Sequence, residues 1–398
     1  MTSVLYLTRN GLLEPLGLSQ VFPYLKGLAC SFSITLVTFE KPEDWADITA
    51  RSSVWRQCQQ LGIRWIPLRF RAKPRPFAAV FAIIQLAAVT LFHRLQHRNP
   101  VLLHARSYVP SAIALLHHQL TGAPFIFDMR ALWPEELITA GHLRRGSWLH
   151  ALLLWIERLC LREASGVVSL THAGVSYLQS IYRRELVGQR VLVIPTCADL
   201  QRFQYAPLYS PDPLVIGCIG TLLSGWFLTD WLRAFFEAVS RSAPTTRFEL
   251  ITRDSPESVL HALNPGPVLT DRLMVQSARP EEMPSIIQRH TASVMFYAGG
   301  SISELGRSPT RMAEVLACGR PIIANPGIGD VEQLISDRRV GVMASGPSAA
   351  DMDDCVGELL ELLKDPLLAD RCRHTAEQLF SLDVGTAAYR RLYADILS

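Results

Sequence analysis

Ser308-Pro-Thr-Arg-Met-Ala-Glu314-Val-Leu-Ala-Cys-Gly319-Arg-Pro-Ile-Ile-Ala-Asn325 is the stretch that decides how this chain is read. Ser308 is a good helix N-cap and Pro309 a good first helical residue. Met312, Val315 and Leu316 recur at i, i+3 and i+4, which puts one apolar stripe on a buried face. Gly319 supplies a left-handed stop, and 321–324 begins a strand. The first turn of such a helix offers N–H groups, and with Thr310 and the Arg311 cation it suits a phosphate. Glu314 lies about one turn in, where a carboxylate can accept two hydroxyls of a ribose.

The same helix-to-strand rhythm extends in both directions. Strands are expected over 4–7, 33–38, 101–104, 125–127, 167–170 and 191–194, then over 215–219, 247–252, 292–297 and 321–324. Helical periodicity falls between them, over 20–30, 77–96, 108–120, 147–163, 174–183, 230–239, 280–288, 309–318 and 348–363. Alternation of this kind implies parallel sheets covered on both faces. Pro195, Pro207, Pro211 and Pro213 crowd one polar stretch, which marks a linker. The expected architecture is therefore α/β, two doubly wound domains facing across a cleft, with ligands at the carboxyl ends of the strands.

Composition narrows the function. Of 398 residues, 49% are hydrophobic and 19% charged, which excludes a disordered chain. Eight cysteines lie far apart with no C-x-x-C pair, which argues against a disulfide framework or a zinc site and fits a reducing compartment. No dinucleotide fingerprint, Walker motif, H-E-x-x-H or G-x-S-x-G is present, and no D-x-D metal pair. Residues 1–200 carry 21 Lys+Arg against 12 Asp+Glu, and the rest carry 18 against 24. Residues 51–100 hold nine basic residues and no acid. A basic half of this kind is expected to face something anionic. The N-terminus lacks a basic n-region, and the apolar window 77–92 is too short to span a membrane. The expected location is cytoplasmic, with peripheral attachment to the inner face of a membrane as an option.

The 308–325 segment resembles the C-terminal signature of retaining glycosyltransferases of the GT-B fold, family 4, in which the loop before the helix holds the donor diphosphate and the helix Glu binds the ribose. Other stretches are similar to that family. Leu5 to Gly11, with Glu14, Gly17, Ser19 and Gln20, resembles the first βα loop, which closes over the cleft. Phe127-Asp128-Met-Arg130-Ala-Leu-Trp133-Pro-Glu135-Glu136 resembles an acceptor-side stretch of some bacterial members. Ile194 to Asp199 resembles the interdomain linker, and Ile219-Gly220-Thr221 the opening of the second domain. Tyr389 and Tyr393 resemble the helix that crosses back. The resemblance implies an acceptor-binding domain over 1–200, a nucleotide-sugar donor domain over 201–385 and a returning helix over 386–398.

It also implies roles. Donor contacts are expected from Gly17, Gly220, Thr221, Arg253, Ser308, Pro309, Thr310, Arg311 and Glu314. Asp128, Arg130 and Glu314 are the catalytic candidates, and Glu14, Ser19, Arg106 and Trp133 lie on the acceptor side. His104 reads as a core histidine. Three departures stand out: the family's E-x7-E pair would put an acid at Gly306, with Glu304 two residues off register; the basic pair after the first strand of the second domain is missing; and Asp128 stands where many members have a His. Arg307 or Arg311 is left to meet the donor phosphates.

The implied activity is transfer of a sugar from a nucleotide-sugar donor, UDP- or GDP-linked, to an acceptor hydroxyl that is lipid-linked or on a glycan. No cofactor or metal is expected, and no nucleic acid partner. An anionic membrane surface is a candidate partner, because Arg64, Arg69, Arg71, Lys73 and Arg75 adjoin the 77–92 helix and Trp148 and Trp155 lie on another. The alternatives are a catalytically silent nucleotide-sugar-binding or scaffold protein of the same fold, and a sugar-nucleotide epimerase.

Overall fold

Short apolar runs with β-branched residues form the middle of two parallel sheets. A computed structural model describes residues 2–71, 75–96, 101–208, 213–298 and 302–398. The first sheet contains β1 (Ser3–Thr8), β2 (Ser33–Glu40), β3 (Arg64–Arg69), β4 (Val101–Arg106), β5 (Phe125–Asp128), β6 (Gly166–Ser169) and β7 (Val191–Val193), in the order β3-β2-β1-β4-β5-β6-β7. The second contains β8 (Val215–Ile219), β9 (Arg247–Ile251), β10 (Leu273–Gln276), β11 (Ala292–Met295), β12 (Ile322–Ala324) and β13 (Gly341–Met343), in the order β10-β9-β8-β11-β12-β13. In each sheet the chain first winds one way and then reverses. Right-handed crossovers then put helices on both faces. The direction reverses between β1 and β4 in the first sheet and between β8 and β11 in the second. These two switch points are where such sheets place ligands.

The chain divides into two compact units, residues 1–195 with 382–398, and residues 196–381. The division falls at Pro195 rather than at 200, and the return at Leu382 rather than at 386. Hydrogen bonds explain the shift. Thr196 donates from its backbone N to Ser308 Oγ (3.1 Å) and from Oγ1 to the Ser308 carbonyl (2.9 Å), and Ala198 N donates to the Phe380 carbonyl (2.7 Å). The helix Leu382–Leu397 packs on Phe22–Ala29 in the first unit. There Arg390 donates to the Gly27 carbonyl (2.9 Å), and Tyr389 and Tyr393 are buried.

The ten predicted strands all form, and three strands escaped the sequence reading: β3, β10 and β13. All three are edge strands; β3 and β10 are only partly buried, and β13, though buried, is three residues long and starts at Gly341, so none gives a long apolar run. Arg64 and Arg69 at the ends of β3 are exposed, which is why it read as a basic flank. A second difference lies at 15–20, read as loop, which is a short helix, Pro15–Gln20. All eight cysteines are free thiols. No helix among the described residues is long and apolar enough to cross a membrane.

Candidate active site

The helix Thr310–Ala317 begins at the carboxyl end of the second sheet, in the connection from β11 to β12. Met312, Val315 and Leu316 are buried, as their spacing requires, and Gly319 takes φ 77° just past the helix. One detail differs from expectation. Pro309, not Ser308, occupies the N-cap, because the Ser308 hydroxyl is taken by Thr196. Glu314 is buried, and Arg311 donates to it from Nη1. Burial pushes the Glu314 carboxyl above its ordinary range, and the Arg311 guanidinium pulls only partly back.

Arg307, the other candidate cation, is held on three sides. It donates to Glu304 from Nε, and from Nη2 at 3.0 Å, and Glu304 itself is buried. Its guanidinium lies 5.4 Å from the Trp226 ring and 5.2 Å from the Tyr297 ring. Trp226 comes from the loop after β8 and Tyr297 from the loop after β11, so Arg307 sits at the switch point of this sheet. Asn325, after β12, fixes Tyr297 by accepting from its N (2.8 Å) and donating to its carbonyl (2.9 Å). Glu304, two residues from the position where the family's acid is missing, is buried on a separate helix, Ile302–Leu305.

Gly220 follows β8 with φ 154°, a conformation that side chains rarely adopt. Thr221 is exposed. The loop is tied down by Asp254, whose Oδ2 accepts from the backbone N of Leu222 (2.7 Å) and of Leu223 (3.1 Å). Arg253, next to it, is exposed. A cavity of about 620 Å³ opens beside β13, lined by Arg339, Gly341, Glu358 and Asp365. It lies at the sheet edge and holds none of the groups above.

The switch point of the first unit carries the other catalytic candidates. Arg106 ends β4 and Asp128 ends β5, and the two are paired across the ladder. Arg106 donates from Nη1 to Asn10 Oδ1 (3.0 Å), in the loop after β1. Arg130 Nη1 lies 3.9 Å from Asp128 Oδ1. Two residues here hold strained backbones: Ser107 at φ 76°, ψ 175°, and Arg130 at φ 62°. Such conformations cost about 1–3 kcal/mol each and gather at functional sites. Arg106 Nε, Arg130 Nε and Asp128 Oδ1 are buried without a hydrogen-bond partner among the described residues. Burial, and then the Arg130 charge, push Arg106 below the ordinary arginine range. The cluster therefore holds two cations to one anion and has unused donors.

Asp128 is positioned from below. Its Oδ2 meets His104 Nε2 (3.2 Å) and accepts from Tyr389 Oη (2.9 Å), and His104 Nδ1 lies 2.6 Å from Tyr393 Oη. Burial alone would raise the Asp128 carboxyl, but Arg130, His104 and Arg106 outweigh it and hold it below the usual range. Burial lowers His104 despite Asp128. An ionised carboxylate only accepts and a neutral imidazole has one N–H, so Nε2–H donates to Asp128 and Tyr393 donates to Nδ1. His104 is a core residue, as read, and also a bridge from the returning helix to Asp128.

The remaining candidates are engaged structurally. Glu14 is buried and paired with Lys41 (2.9 Å). A Cβ on Gly17 would stand 2.0 Å from the Gly11 carbonyl oxygen, so only glycine lets helix and loop close together. Ser19 donates to the Pro15 carbonyl (2.7 Å). Trp133 is half-buried, its ring 5.5 Å from Tyr108. Sequence reasoning missed Glu40, whose buried carboxylate accepts from the N–H groups of Leu12 (2.7 Å) and Leu13 (3.1 Å). A lone acid ending an apolar strand was the available signal. It also missed Asn10, Asp254, Trp226 and Tyr297, which lie on loops without periodicity.

Residues 26–197 match the family model described as Glycosyl transferase 4-like domain. The whole chain is similar in fold to solved structures. Sucrose-phosphate synthase from Thermosynechococcus elongatus matches with a TM-score of 0.70 at 15% identity, over 100% of this chain and 99% of that one. A glycosyltransferase from Rickettsia africae gives 0.68 at 15% identity, over 100% and 99%. HepE of Anabaena, solved with UDP and glucose, gives 0.65 at 14% identity, over 99% and 100%. No curated protein matches the sequence significantly. The glycosyl transferase 4-like match and these neighbours bear out the resemblance to GT-B glycosyltransferases and the two doubly wound α/β units.

Proposed function

We propose that this protein is a retaining glycosyltransferase that moves a sugar from a nucleotide-sugar donor, UDP- or GDP-linked, to an acceptor hydroxyl. The observation that carries the reading is Glu314. It is a buried carboxylate one turn into the helix at the switch point of the second unit, with Arg311 beside it. Glu314 accepts the two ribose hydroxyls, and Arg311, Thr310 and the first turn of the helix meet the diphosphate. Crystal structures of the HepE neighbour with UDP and with UDP-glucose support a donor of this class. In the reaction the bond from the sugar C1 to the phosphate oxygen breaks. The acceptor oxygen bonds C1 on the same face, and its proton passes to the leaving phosphate oxygen. Negative charge grows on the diphosphate, where Arg311 and the helix N-terminus stabilise it without asking for a metal. Arg106 and Arg130 carry the acceptor, with Asp128 orienting its hydroxyl. The acceptor is lipid-linked and the protein peripheral on the inner face of a membrane.

Incubation with a panel of UDP- and GDP-sugars and membrane lipid extract, with product analysed by NMR, tests this. A glycosylated lipid with the donor's anomeric configuration is expected. An inverted anomer, or an epimerised donor without acceptor, refutes it. One observation favours a second reading, a silent nucleotide-binding relative: Arg307 and Arg311 are both already paired with carboxylates. Nucleotide binding without transfer on any acceptor would select it.

A further inference from the structure

Three helices cover one face of the first sheet. The central one, Tyr108–Thr121, rests on β4 and β5, and Arg75–Gln96 and Trp148–Glu163 pack on it from either side. A helix in such a layer has its inner side on the sheet and its flanks on its neighbours, so only its outer side meets solvent. That outer side should be polar. Instead it presents Ile84 and Phe92 from the first helix, Leu116 and Leu120 from the second, and Trp148 and Trp155 from the third, all exposed. Trp148 is 78% exposed and Leu120 75%. Exposed apolar surface spread over three adjacent helices marks an interaction site.

Charge identifies the occupant. Neither Arg75–Gln96 nor Tyr108–Thr121 contains an acidic residue, and of the two on Trp148–Glu163, Glu157 is buried. Exposed Arg158, paired with Glu185, and exposed Arg162, paired with Glu163, lie on Trp148–Glu163, and exposed Arg71, stacked 4.4 Å from the Phe81 ring, leads in from the Arg75–Gln96 side. Tryptophans with an apolar body and a polar N–H suit the headgroup boundary of a bilayer. Basic residues beside them suit anionic lipid. We propose that the outer face of this three-helix layer docks on an anionic phospholipid bilayer, with Trp148 and Trp155 inserted at the headgroup level. The inference rests on the membrane setting of the proposed reaction and names the surface and the lipid chemistry.

The test is co-sedimentation of the full chain with vesicles of phosphatidylcholine alone and of phosphatidylcholine with phosphatidylglycerol, at low and high salt. Wild type should sediment with the anionic vesicles, less so at high salt. Trp148→Ser/Trp155→Ser should weaken this at least tenfold at an unchanged melting temperature. In wild type, brominated lipid in the anionic vesicles should quench tryptophan emission, a readout that needs no variant. Absent sedimentation, absent quenching, or a double variant that binds like wild type overturns the proposal. So does a dimer, seen by analytical ultracentrifugation, that the same substitutions disperse, because the face would then belong to a second copy. Thermal shift by UDP or GDP, run on the same samples, reports the donor site separately: shift without vesicle binding defeats only the membrane proposal.

Discussion

Glu314 sits between two opposed effects, burial that raises its carboxyl pKa and Arg311 that lowers it, with burial the larger. The folded protein thus holds the proton more tightly than the unfolded chain. Stability falls as pH rises from the ordinary carboxylate range through the raised value. Ribose hydroxyls donate to the ionised form and favour it. Donor affinity is therefore expected to rise with pH through that window and level off above it, as calorimetric titration of UDP or GDP would show. The dependence should vanish in Glu314→Gln, and Glu314→Ala should bind at least tenfold more weakly, on the scale of about 1.5–3 kcal/mol for charge-assisted hydrogen bonds. Glu314 and Arg311 were legible because helix start, apolar stripe and glycine stop all lie within one contiguous segment. The ring pair around Arg307 was not, because Trp226 and Tyr297 are some seventy residues apart and meet only through the sheet.

The pair formed by Asp128 and His104 makes the opposite pH prediction. Asp128 is held below its ordinary range, so its contribution to stability is present above the unfolded value and lost as pH falls through the folded one. His104 is lowered from its ordinary 6.5, so the unfolded chain gains that proton first as pH drops. The His104 effect destabilises the first unit on acidification below about pH 6.5, and the Asp128 effect adds to it only below the ordinary carboxylate range. Melting temperature should fall with pH there, and more shallowly in His104→Gln. A flat profile in the wild type would show that these groups do not titrate as described.

At the scale of elements, the two units share a device. In each, a carboxylate at or just past the end of the second strand accepts from two successive N–H groups of the loop that follows the first strand. Glu40 binds Leu12 and Leu13, and Asp254 binds Leu222 and Leu223. These loops flank the two switch points, so the carboxylates hold the backbone that a ligand would meet. Removing either leaves unpaired N–H groups, at about 1–3 kcal/mol for a buried pair. Denaturant unfolding should show a larger loss for Glu40→Ala, whose carboxylate is buried, than for Asp254→Ala, which is half-buried. Equal stability to wild type would remove the device from the account. Central strands were legible from their apolar runs, since both faces are covered. The edge strands β3, β10 and β13 and these carboxylate ties were not, because a partly solvated or very short strand and a capped loop leave no periodic pattern.

For the whole molecule, two doubly wound units followed from alternation and the proline-rich linker, and the returning helix from the family resemblance at Tyr389 and Tyr393. The functional claim rests on the second unit binding a nucleoside diphosphate through Glu314 and the helix that carries it. The most direct test is a thermal-shift titration of the full chain and of Glu314→Ala with UDP, GDP, ADP and CMP. A ligand bound only by the folded state raises the melting temperature by mass action. UDP or GDP should raise the wild-type melting temperature in a saturable way, with the response lost or shifted at least tenfold in Glu314→Ala. No response to any nucleotide at millimolar concentration, or an equal response in the variant, would contradict it.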